Sequence, residues 1–63
     1  MNLKIGFYYK IVIKVESVIL TYTAKILSFD DSFISFQDKF DKVYSYNKNN
    51  IISYTEIGES LND

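Results

Sequence analysis

Sixty-three residues carrying seven lysines, eight acids and a net charge of −1 make one small domain, with no room for a catalytic insert or a second core. A chain this short buries only about 60% of its unfolded surface, and without Cys it cannot add a disulfide or a cysteine-built zinc site, which leaves oligomerisation as the remaining aid to stability. The apolar share of 48% excludes disorder, and the mild acidity is a poor match for a protein that coats duplex DNA.

The lysines are unevenly placed. Lys4, Lys10, Lys14 and Lys25 stand against Glu16 alone in residues 1–25, whereas residues 26–63 hold three lysines and seven acids. The lysine-rich part reads as a solvated polar face, with a local basic patch as the other reading. The apolar run Val18-Ile19-Leu20 is interrupted by Thr21 and Thr23 and falls far short of the roughly 20 residues of a membrane-spanning helix. No signal peptide or membrane partner is expected, and the lack of Cys agrees with a cytoplasmic location.

Residues 1–8 have no clear period and read as an N-terminal arm or a short helix. From there the pattern is that of strands: Ile, Val, Thr, six Tyr and five Phe suit a pleated, half-buried surface. Residues 9–16 place Ile11, Ile13 and Val15 on one face and Lys10, Lys14 and Glu16 on the other. A turn near residues 16–18 leads to a long strand over 19–29, in which Leu20, Tyr22, Ala24 and Ile26 share a face. With Pro absent and Gly present only at Gly6 and Gly58, the turns must be built from short polar residues. Asp30-Asp31-Ser32 is one such turn, residues 38–42 another, and Lys48-Asn49-Asn50 a third. These delimit strands at 33–37, 43–47 and 51–57, with residues 58–63 as a flexible tail. Five short strands joined by hairpin-length turns predict an all-β, strongly bent five-stranded small barrel of SH3-like type.

Residues 24–38 and 46–52 carry a resemblance. Ala24, Ile26, Phe29 and Asp31-Ser32-Phe33-Ile34, followed later by Tyr46-Asn47-Lys48-Asn49-Asn50-Ile51-Ile52, resemble the two signature segments of the Sm/LSm family of RNA-binding barrels, which includes Hfq. The resemblance extends over residues 9–57. It implies a homo-oligomeric ring that pairs the fourth strand of one subunit with the fifth of the next, and single-stranded, uridine-rich RNA bound by two loops at the pore. By position, Asp31 is the turn-orienting acid, Phe33 the base-stacking platform, and Asn47 and Lys48 the contacts of the second loop. Two departures stand out: Ile34 replaces the family's base-reading Asn, and Asn47-Lys48 replace its Arg-Gly. Weak RNA binding or altered specificity is therefore the expectation.

Each of these residues also has a plainer reading. Phe33 serves equally as a core or interface aromatic, and the adjacent carboxylates Asp30 and Asp31 read first as hydrogen-bonded turn residues. Six tyrosines exceed what so small a core can hide, so Tyr44 and Tyr46 are assigned to an oligomer interface, with Ile52 and Tyr54 on the fifth strand. The absence of His, Cys and Arg removes the usual base, thiol and anion clamp, so no enzyme, cofactor, metal or small-molecule substrate is expected. The alternative function is a small-barrel protein-interaction or structural module that binds no nucleic acid.

Overall fold

The computed structural model describes residues 2–61. The protein is all-β, with five antiparallel strands in one sheet: β1 (Tyr8–Val15), β2 (Val18–Phe29), β3 (Phe33–Asp38), β4 (Val43–Asn47) and β5 (Ile51–Gly58). A single 3-10 turn, Lys48–Asn50, joins β4 to β5. The strands read from period-two alternation agree with these bounds to within a residue at each end.

The spatial order is β4-β3-β2-β1-β5. β2, at twelve residues, serves both halves of the sheet: its first part pairs with β1 and its last part with β3. Between the two, an irregularity at Ile26–Ser28 lets Leu27 slip out of register, and extra residues of this kind bend a strand. β5 carries two further irregularities along β1. The result is one bent sheet whose edges, β4 and β5, are not paired with each other, so the barrel suggested by the strand spacing is not closed by hydrogen bonds.

Alternation decides what is inside. Tyr9, Ile11 and Ile13 of β1, Ala24 and Ile26 of β2, and Ile34 and Phe36 of β3 are all buried on the concave face. Each isoleucine or phenylalanine side chain so placed contributes about 1.5–3 kcal/mol of burial relative to exposure. Leu3 joins this core from outside the strands.

Residues 2–7 form an arm that contains no helix. A turn brings the Phe7 N–H to the Lys4 carbonyl at 3.2 Å, with Gly6 at φ +88°, the left-handed position that favours glycine. Beyond the turn the arm pairs with β2, the Gly6 N–H donating to the Ile26 carbonyl and the Ile26 N–H to that of Phe7. The buried Tyr9 hydroxyl accepts from the Lys4 N–H at 2.9 Å, tying the arm over the end of the core. Lys4 also pairs with Glu56 at 3.2 Å, an exposed contact that adds little stability. Met1 of the expected arm and residues 62 and 63 of the expected tail lie outside the described residues.

Candidate functional site

Asp30-Asp31-Ser32 turns because one carboxylate organises the backbone. Asp30 Oδ1 accepts from the N–H groups of Ser32 and Phe33, both at 2.8 Å, and the Asp30 N–H donates to the Phe33 carbonyl. The N–H groups of Phe33 and Ser32 hold the Asp30 carboxyl below the ordinary carboxylate range. The turn-orienting acid is thus Asp30, one residue before the position that the family resemblance indicated. Asp31 stands exposed at the tip.

Phe33 opens β3 directly after this turn and is 53% exposed, so its ring belongs to the surface and not to the core. Its partner across the ladder is Asn47, the last residue of β4. Asn47 caps the 3-10 turn, its side-chain oxygen accepting from the Asn49 N–H at 2.8 Å. Lys48 then locks the two connections together. Its N–H donates to the Ser32 carbonyl at 2.8 Å, its ammonium donates to the Asp30 carbonyl at 2.6 Å, and that ammonium lies 5.5 Å from the centre of the Phe29 ring. Asp31 and Phe33 from one connection and Asn47 and Lys48 from the other therefore share one end of the sheet. The exposed Phe33 ring can stack on a base, at about 1–3 kcal/mol per stacked base, and Lys48, whose ammonium lies against Phe29, is an anchored cation at the same end of the sheet that can attract an anion. Ile34 is buried and takes no part in this surface.

The candidate interface residues lie on the two sheet edges. Tyr44 and Tyr46 of β4 turn their rings inward and remain half-buried. Tyr44 lies 4.8 Å from Tyr22 and 5.9 Å from Phe36, and Tyr46 stacks on Phe36 at 5.9 Å with 16° between planes. The Tyr22 and Tyr46 hydroxyls are 2.6 Å apart. Burial, followed by that bond, raises the Tyr22 phenol well above its ordinary value. Burial and the neighbouring Asp38 carboxylate raise Tyr44 as well. On β5, Ile52 (54%) and Tyr54 (37%) are exposed, with Ile57 beyond them. Tyr54 also meets the ring of Tyr9 edge-on at 6.2 Å, which fixes one side of it within the chain.

Sequence reasoning read Asp30 and Asp31 alike as hydrogen-bonded turn residues, which Asp30 is, but by the resemblance gave the orienting role to Asp31, and it missed the junction built by Lys48. The adjacent acids were visible, but only the direction of the backbone in the turn selects between them. No three acidic side chains gather to hold a metal ion among the described residues, and no helix among them is long and apolar enough to cross a membrane. No family model, curated protein or solved structure matches the chain.

Proposed function

We propose that this chain is a small, cytoplasmic, Sm-like β-module that self-associates through the edges of β4 and β5 and binds single-stranded RNA at the end of the sheet formed by Asp31, Phe33, Asn47 and Lys48. The observation that carries the reading is the convergence of the two connections, with Phe33 exposed beside them. One aromatic ring and one lysine per chain make a weak site. Repetition around an assembly raises the local concentration of such sites and turns weak contacts into useful affinity. The free backbone groups of β4 and β5 supply a means of association, and Tyr44, Tyr46, Ile52 and Tyr54 supply contact area beside them. With Ile34 buried where the family places a base-reading amide, stacking and charge would govern recognition, so uridine preference is expected to be slight.

The test is fluorescence anisotropy with labelled oligo-U and oligo-A, on wild type and on Phe33→Ala, with the solution mass of both proteins measured by light scattering. The expected result is an oligomer in both cases and a roughly 5- to 150-fold weaker affinity in the variant, the equivalent of one lost stacking contact. A wild type that binds neither oligonucleotide would refute the RNA reading. A second reading, a protein-binding module, draws on the exposed apolar residues Val43, Ile52 and Ile57 of the edge strands. It gains if the chain binds no RNA.

A further inference from the structure

The face of the sheet opposite the core carries a charge pattern that the turn-end site does not use. In register, Tyr8, Lys10, Val12 and Lys14 of β1 point away from the core. They are flanked by Lys25, Thr23, Thr21 and Ile19 of β2 and, for the middle two, by Thr55 and Ser53 of β5. None of these ten positions is an acid. Lys10 and Lys14 are exposed and Lys25 is half-buried, and among the described residues the one ion pair is Lys4–Glu56, so no carboxylate there neutralises the three.

Most of the acids lie elsewhere. Asp30, Asp31, Asp38 and Asp41 sit at the two ends of β3, Glu56 pairs across from Tyr9 on the core side, and Glu59 follows β5. Glu16 alone stands near the row, in the β1–β2 turn beyond Lys14. A net charge of −1 therefore conceals a lysine-bearing face with one acid at its end. Lys10 and Lys14 are four residues apart on a strand, about 13 Å, which exceeds the screening length of about 8 Å at physiological salt. Their mutual repulsion costs the fold little, yet both fields reach an anion laid along β1. Hydroxyls at Thr21, Thr23 and Thr55 add donors beside them.

We infer that the outer face of β5-β1-β2 is a track for the phosphate backbone of single-stranded nucleic acid, with Lys25, Lys10 and Lys14 as its charges. Continuity selects this occupant over an acidic protein segment. The Asn50 side-chain amide donates to the Lys14 carbonyl at 2.9 Å, which joins the end of the lysine row to the 3-10 turn that begins with Lys48. A strand whose bases reach Phe33 can thus leave along β1 over positive charge. The inference rests on the RNA reading for the identity of its ligand, but it uses different residues and predicts a different readout.

The experiment compares wild type, Lys10→Gln/Lys14→Gln, Lys10→Arg/Lys14→Arg and Phe33→Ala by anisotropy on labelled oligo-U and oligo-A between 50 and 200 mM salt, with thermal melting to verify that each folds. Each phosphate neutralised on a single strand contributes about 0.7 to the salt slope, so the Gln pair is expected to flatten the slope by about 1.4, equally for both oligonucleotides. The Arg pair should keep the wild-type slope, and Phe33→Ala should keep the slope while losing affinity. A folded Gln pair with an unchanged slope overturns the phosphate track and leaves the turn-end site standing. Loss in the Gln pair with no loss in Phe33→Ala overturns the turn-end site and supports the track. Absence of salt-sensitive binding by wild type overturns both, and binding of poly-glutamate in place of either oligonucleotide overturns the track as assigned.

Discussion

The β1–β2 half of the molecule and the β3–β4 hairpin bury similar sequence patterns in different ways. β1 is central, paired on both sides, and its Ile11 and Ile13 are fully buried, Ile11 between Tyr22 and Tyr54 across the ladders and Ile13 between Leu20 and Ile51. β4 is an edge, and the space beneath it is filled by four aromatic rings, Tyr22, Phe36, Tyr44 and Tyr46, of which only Phe36 is fully buried. The turns differ too. Asp38 Oδ1 accepts from the N–H groups of Phe40 and Lys42, and Asp30 does the same for the turn that enters β3. A left-handed residue occurs in both hairpin turns, Glu16 at φ +56° between β1 and β2 and Asp41 at φ +63° between β3 and β4, so the carboxylate tethers are what set the second apart. One half is fixed by close packing; the other is held in place by rings and polar tethers. An edge so built can adapt to a partner, which the central strands cannot.

The largest effect expected from this contrast concerns cavities. Ile11→Ala removes three carbon atoms from a site enclosed on every side, and should cost about 4 kcal/mol. Phe36→Ala removes twice as many carbon atoms, yet its neighbouring rings are half-exposed and free to collapse, so its cost should be no greater, about 3 kcal/mol. A chain of this length has only about 3–9 kcal/mol of stability in total, so urea unfolding is best measured with an osmolyte added to both variants. A Phe36→Ala cost clearly above that of Ile11→Ala would end the claim that the aromatic half is adaptable.

A smaller effect tests the polar tether that joins the β3–β4 hairpin to β2. Tyr22→Phe and Tyr46→Phe each remove one side of the 2.6 Å hydroxyl pair, and each should cost about 1 kcal/mol. Because the two residues share one bond, the double variant should cost scarcely more than either single one. Additive losses would show that the hydroxyls act separately, through water, and that the ring cluster is held by packing alone.

Much of this division was readable from the chain. Alternation in Ile11, Ile13 and Val15, and again in Leu20, Tyr22, Ala24 and Ile26, located both the strands and the face they bury, because a pleated strand allows no other phase. What alternation does not encode is curvature. The slip at Leu27 and the failure of β4 to meet β5 depend on twist accumulated across the sheet, so closure was not legible. Nor was the burial of Leu3, which lies in a segment without period whose anchors, Gly6 and Phe7 pairing with Ile26 and the Lys4 N–H donating to the Tyr9 hydroxyl, form only after the sheet exists. In the candidate site, Asp30 and Asp31 are chemically identical neighbours, and composition could not say which one faces the Phe33 N–H. The stacking of the β4 tyrosines on Tyr22 and Phe36, which leaves them half-buried at an open edge, was not legible either, because it depends on how the bend in β2 brings the rings together.

The smallest effect concerns acid. Asp30 is held below its ordinary value of 3.8 by the N–H groups of Phe33 and Ser32, with a further contribution from Lys48. Asp38 is lowered as well: burial opposes its ionisation and is outweighed by the N–H groups of Lys42 and Phe40. For a carboxyl whose folded pKa is depressed, the folded state binds its proton less readily than the unfolded chain. The stabilisation is therefore complete above the unfolded value and is lost as pH falls through the folded one. Both groups belong to the β3–β4 half, so acid should loosen that hairpin ahead of β1 and β2. Amide shifts followed by NMR from pH 6 to pH 2 should show Ser32, Phe33, Phe40 and Lys42 titrating together below the ordinary carboxylate midpoint. The amides of Ile11 and Ile13 should not follow. Simultaneous loss of all these signals would mean that the two halves unfold as one unit, with the turn carboxylates protecting β1 as much as β4.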